Sequence, residues 1–284
     1  MECPHIVGFS RLDCEYSCSH HALISPPDEV VERHMSTMMK IYEENLKNIK
    51  MCTVRYGDPE RDEIDIWGDE NDAAAAFVVF HGGYWKEGDR RMMTSMVKDL
   101  TEMGVVVASV GYSLAPAVPI STIIEEAVNA LRFLRQRWPR KRIAVGGHSA
   151  GAHIAVSVVV RTCTELDLHH VVVLSGLFDL HELPHCCVGK EINLTEEEAA
   201  RCSIYCDDFA HFNGIILQIV AQSESTTFSN QANYLLQLSR SNSNVKVEHE
   251  IAYSEDHFSL IEHLSNKELK YVQCFLNFFR QLLS

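Results

Sequence analysis

The 284-residue sequence contains no apolar run long enough to cross a membrane as a helix, because residues 105–110 and 156–160 are short and flanked by polar residues. Its first residues, Met-Glu-Cys-Pro-His, have neither the basic stretch nor the apolar stretch of a secretory signal, so a cytoplasmic protein is expected. Positive charge is in deficit. Against 39 Asp and Glu stand 25 Lys and Arg, a net charge of −14, which argues against nucleic acid or an anionic membrane as the main partner. Paired C-x-x-C motifs are also missing. The ten cysteines are scattered, and reduced thiols are expected. The densest group (His181, His185, Cys186, Cys187, Cys202, Cys206) lacks metal-ligand spacing, since adjacent Cys186 and Cys187 do not readily face one tetrahedral centre. No metal or other cofactor is expected, and a small molecule is the expected partner. There is no internal repeat and no low-complexity linker, so residues 1–284 read as one domain.

Hydrophobic residues make up 46% of the chain and charged residues 23%, ordinary values for a globular enzyme. Residues 1–26 show no clear period and read as a surface loop. Pro27-Asp28-Glu29 then starts a helix that carries Val30, Met38, Tyr42 and Leu46 at helical spacing. Residues 51–56 and 63–67 alternate as a hairpin with one solvated face. From residue 73 onward, strands at 75–80, 105–110, 143–145, 171–174, 215–220 and 245–251 are separated by helices, at 89–103, 121–138 and 265–283 among others. Unbroken Val/Ile strands spaced by helices define an α/β fold, with a mostly parallel central sheet and helices on both faces. Residues 176–212 interrupt this rhythm. With one short helix near 194–200, they read as a lid-like insertion.

The chain is organised around residues 142–160. A short apolar strand runs into Gly147-His148-Ser149-Ala150-Gly151, and a helix rich in Ala and Val follows. This is the G-x-S-x-G pattern of a nucleophile elbow, in which glycines on either side of the serine allow a strained strand-to-helix turn. The helix N-terminus then favours negative charge developing beside Ser149.

A serine hydroxyl needs a base, and the base needs an orienting acid. In an elbow enzyme these partners follow in the order serine, acid, histidine, each after a later strand. His257 lies after the last strand and is taken ahead of His263 as the base. Glu224 is the only carboxylate in the turn after 215–220. It is taken as the acid, with Asp179 in reserve and Asp256 as a loop carboxylate. A neutral His257 base predicts that kcat/KM falls as pH drops through roughly 6 to 7. The tetrahedral oxyanion needs amide donors: the Ala150 N–H, and others from the loop His81-Gly82-Gly83, where the glycines permit close approach.

His81-Gly82-Gly83-Tyr84-Trp85 resembles the H-G-G-x-W motif of the kynurenine formamidase (arylformamidase) family, within the α/β-hydrolase superfamily. Residues 111–116, 147–153 and 175–180 are similar to the family's corresponding stretches, and Glu15-Tyr16-Ser17 to its N-terminal arm. The resemblance implies an α/β-hydrolase fold and cleavage of N-formyl-L-kynurenine to L-kynurenine and formate in tryptophan catabolism, by a cytosolic and often homodimeric enzyme. It also implies that the oxyanion donors are Gly83 and Tyr84. His81, Gly82 and Trp85 are taken as candidates for substrate binding, with Trp85 and Tyr84 equally open to offering aromatic surface to an aryl ring or to packing in the core. Glu224 departs from the family's usual aspartate. Two other readings stay open: a carboxylesterase for small acyl esters, and a catalytically silent binding protein.

Overall fold

The computed structural model describes residues 8–284, so the first seven residues of the expected N-terminal loop lie outside the described residues. Eight strands form one sheet: β1 (Met51–Arg55), β2 (Glu63–Trp67), β3 (Ala75–Phe80), β4 (Val105–Val110), β5 (Arg142–His148), β6 (His170–Leu174), β7 (Gly214–Ser223) and β8 (Val245–Asp256). Their spatial order is β1-β2-β4-β3-β5-β6-β7-β8. The first two pairings, β1 with β2 and β2 with β4, are antiparallel, and all the others are parallel.

Side chains alternate across a strand, so each buried strand feeds two cores. Ala76, Val78 and Phe80 of β3 join one cluster with α4 (Ile120–Arg137) and α5 (Ala150–Leu166). Ala75, Phe77 and Val79 join the other, with α2 (Val30–Asn48), α3 (Val97–Glu102), α9 (Ser259–Glu262) and α10 (Lys270–Leu283). Helices therefore cover both faces, as the unbroken apolar strands require.

Several expectations are corrected. The hairpin has no solvated face on β2, because Ile64 and Ile66 enter one core and Trp67 the other. Asp65 between them is fully buried and is held by Arg90 at 2.9 Å and Thr53 at 2.7 Å. The helix expected over 89–103 is divided into a short turn at Arg90–Met92 and α3, because Arg90 is drawn to Asp65 and Asn45 bonds the Thr94 carbonyl at 2.7 Å. The stretch 176–212 holds α6 (Cys187–Glu191) and α7 (Glu196–Cys202), and it buries Leu177, Phe178, Leu183 and Phe209 in the core. A further helix, α8 (Thr226–Arg240), was not anticipated. Its signal was present in the Ser225 cap, whose hydroxyl accepts the Phe228 N–H at 3.1 Å, and in Phe228, Ala232 and Leu235 at helical spacing.

The N-terminal stretch is no loose loop. It contains α1 (Arg11–Glu15) and a short turn at Cys18–His21, and it is tied down at several points. Tyr84 donates its hydroxyl to the Tyr16 carbonyl at 2.6 Å, and the Leu23 N–H donates to Asp256 Oδ2 at 2.7 Å. Ser223 donates to the His21 carbonyl at 3.0 Å, and the Cys187 N–H donates to Asp13 Oδ1 at 2.6 Å. The segment is a strap over the carboxyl ends of the strands, joining the ends of β3, β7 and β8 to the 176–212 stretch. Among the described residues, no helix is long and apolar enough to cross a membrane.

Candidate active site

Ser149 leaves β5 with φ +54°, a left-handed conformation that a non-glycine residue adopts only when its surroundings impose it. Those surroundings are tight. A Cβ on Gly147 would sit 2.3 Å from the Gly151 backbone, and one on Gly151 would sit 2.2 Å from the Phe80 carbonyl oxygen. The two glycines let β5, α5 and the end of β3 close on one another. Ser149 is thereby held at the N-terminus of α5, whose free N–H groups and dipole favour an anion.

Register explains how Glu224 meets His257. Strands β7 and β8 are parallel, and an irregularity after Ala221 leaves Ser223 opposite Asp256. Glu224 and His257 each follow directly on one of these strand ends, and they meet with His257 Nδ1 2.8 Å from Glu224 Oε1. Both side chains are almost fully buried, at 5% and 1% exposure. Asp256 fixes the turn beneath them: its Oδ1 accepts the Phe258 and Ser259 N–H groups at 2.9 and 2.8 Å, and its Oδ2 holds the strap.

The imidazole then returns toward the elbow. At about 4.8 Å per strand, β8 lies about 14 Å from β5, yet the His257 ring packs 4.4 Å from that of His148, the residue before Ser149. Phe228 and Phe258 flank the His257 ring at 5.0 and 5.7 Å. Ser149 and His257 line one pocket of about 190 Å³ together with Gly82, Gly83, Tyr84, His148 and Cys18. A pocket of this size suits a small substrate.

Burial alone would lower the pKa of His257. The Cys18 thiol and the Glu224 carboxylate outweigh burial by favouring the imidazolium, and they hold the pKa well above the ordinary histidine value. The pH dependence expected from an unperturbed histidine therefore moves upward. His148 is the opposite case, since burial pushes its pKa well down and keeps the ring neutral. The reserve candidates are engaged elsewhere. Asp179 accepts from His181 Nδ1 at 2.6 Å on the surface, and half-exposed His263 pairs with Glu255 at 3.0 Å.

Gly83, Tyr84 and Trp85 all have positive φ, at +103°, +48° and +57°. Successive amides in such a turn form an anion-binding concavity. Among the described residues, no acceptor takes the Gly83, Tyr84 or Ala150 N–H. Gly82 also lies against the elbow, where a Cβ would sit 3.2 Å from the Ser149 Cβ. His81 and Trp85 are both fully buried, and neither is among the residues lining this pocket. His81 stacks on Tyr112 at 4.1 Å and donates from Nδ1 to the Gly82 carbonyl at 2.8 Å, with burial lowering its pKa to about 4. Trp85 packs edge-on to His153 at 5.2 Å. Both shape the loop from behind.

Cys18 and His148 were not anticipated at the site. His148 was legible only as an elbow neighbour. Cys18 reaches the pocket because Tyr16 is bonded to Tyr84, a contact across 68 residues with no local sequence signal. The nine described cysteines form no disulfide, and the described residues contain no group of three or more His, Cys, Asp or Glu side chains placed to hold a metal.

A family model described as alpha/beta hydrolase fold matches residues 77–229, more than half of the chain, and the chain belongs to that family. Solved structures agree on the fold. A Pyrobaculum calidifontis esterase superimposes with a TM-score of 0.69 at 15% identity, covering 90% of this chain and 94% of that one. Along most of its length the chain is similar to proteins named kynurenine formamidase. The Danio rerio protein is 27% identical over 275 residues, 89% of this chain and 90% of that one. The Drosophila melanogaster protein is 27% identical over 275 residues, 88% and 91% of the two chains. An Arabidopsis thaliana isoprenylcysteine alpha-carbonyl methylesterase is 29% identical over 120 residues, 40% of this chain.

Proposed function

We propose that this chain is an arylformamidase, a serine hydrolase that cleaves N-formyl-L-kynurenine to L-kynurenine and formate in tryptophan catabolism. The observation that carries the reading is His257, paired with buried Glu224, in one pocket with a strained Ser149 and with amides that have no acceptor among the described residues. The likeness to formamidases along nine tenths of the chain supports the choice of substrate.

In this reading, neutral His257 takes the Ser149 proton as Oγ attacks the formyl carbon. Glu224 holds the Nδ1–H tautomer and stabilises the imidazolium that forms. The oxyanion is received by the amides of Gly83, Tyr84 and Ala150, each such donor lowering the barrier by about 3 kcal/mol. His257 then protonates the departing arylamine, and the same sequence with water releases formate from the serine ester. Cytoplasmic location and a homodimer belong to the reading because the resemblance implies them.

The test is kinetic: kcat/KM of the purified protein on N-formyl-L-kynurenine and on a nitrophenyl acetate under one set of conditions. A clear preference for the formamide is expected. Ester turnover without kynurenine formation would overturn the reading in favour of a carboxylesterase.

A further inference from the structure

Among the described residues, every charged side chain lining the pocket has a partner or a task, with one exception. His34 is held by Glu262 at 2.7 Å, His148 is buried and neutral, and His257 is bonded to Glu224. Lys86 pairs with Glu191. Glu87 is the only carboxylate of the lining, it is exposed, and among the described residues it has no ion pair and no side-chain hydrogen bond.

Its position is set by the oxyanion turn itself. The Lys86 and Glu87 N–H groups both donate to the Gly83 carbonyl, at 2.9 and 3.0 Å. A Cβ on Gly83 would fall 2.3 Å from the Glu87 carbonyl oxygen and 2.9 Å from Glu87 Cγ. Glu87 is thus packed on the residue whose amide faces the reaction centre, and it lines the pocket with its neighbour Lys86. One turn presents a negative and a positive group side by side. An α-amino acid presents the complementary pair on a single carbon.

We infer that Glu87 binds the α-ammonium group of the substrate, with Lys86 beside it facing the α-carboxylate, so that this turn selects amino-acid formamides over other aryl formamides. The inference deepens the formamidase reading and rests on it. The Lys86–Glu191 pair does not block the site, since Glu191 is more than half exposed and such pairs are weak enough for a carboxylate to compete.

The experiment measures kcat/KM for N-formyl-L-kynurenine and for its analogue with hydrogen in place of the α-amino group, with wild type and Glu87→Gln. Wild type is expected to prefer the amine-bearing compound about tenfold, as an interfacial charge pair can supply. Glu87→Gln is expected to lose most of that preference, while its thermal melt stays that of wild type because the side chain is exposed. Added salt is expected to erode the wild-type preference and leave the variant's unchanged. An undiminished preference in Glu87→Gln would overturn the inference alone. Failure of wild type to hydrolyse either formamide would overturn the formamidase reading, and this inference with it.

Discussion

Replacing Glu224 with Gln removes a charge and changes almost nothing in shape. In the native site the carboxylate is 1% exposed and lies 2.8 Å from His257 Nδ1, so no water is at hand to replace it. Breaking a buried ion pair by neutralising one partner costs about 3–5 kcal/mol. That cost falls mainly on the transition state, where His257 carries its full proton. At about 1.4 kcal/mol per decade, plateau kcat/KM on N-formyl-L-kynurenine should drop by about 10²- to 10⁴-fold. The amide also presents either N–H or C=O to the ring and so no longer fixes the tautomer, which adds in the same direction. Losing the carboxylate lowers the His257 pKa, so the residual activity should persist to lower pH than wild type. The assay is kynurenine absorbance against pH, with Asp179→Asn as a control that leaves the rate unchanged. Glu224→Asp should fall between the two, since one methylene less asks the loop to advance by about 1.5 Å. A Glu224→Gln plateau within threefold of wild type would refute this role for Glu224.

The raised His257 pKa places the acid limb of kcat/KM above pH 6.5 in wild type, because the base must be neutral to act and is protonated below its pKa. Cys18→Ala removes one of the two groups favouring the imidazolium, so the pH–rate profile should show the limb moving to lower pH; an unmoved or higher limb would contradict that account. Gly151→Ala forces a methyl into 2.2 Å contact with the Phe80 carbonyl oxygen. The expected loss is about 1–3 kcal/mol of stability by denaturant titration, with activity falling further because the elbow itself must shift. Wild-type stability in that variant would mean the backbones are not as close as described.

Much of the site was legible because its logic is local. The strand–Gly–Ser–Gly–helix pattern located Ser149, and chain order after successive strands located Glu224 and His257, which the β7–β8 register then brings together. The glycines of residues 81–83 marked a place where backbone comes close to another group. What was not legible depends on long-range contact. The strap reaches the site through bonds such as Leu23 to Asp256, 233 residues apart, and short turns at 11–15 and 18–21 carry too few residues for a period to emerge. The burial of His81 and Trp85 was not legible for a related reason: a motif names the residues of a loop, while the three positive φ angles at Gly83, Tyr84 and Trp85 decide which side chains face inward. The helix expected over 89–103 failed where Arg90 gained more from buried Asp65 than from a continuous helix.

The account stands on Ser149 as the atom that takes the acyl group. The most direct measurement is the rate of kynurenine release by Ser149→Ala beside wild type, with intact mass of both after treatment with a fluorophosphonate. A loss of at least about 10³-fold in turnover, with a single phosphonyl adduct on wild type and none on the variant, is what the site predicts. Substantial turnover by Ser149→Ala, or an adduct that survives the substitution, would contradict it.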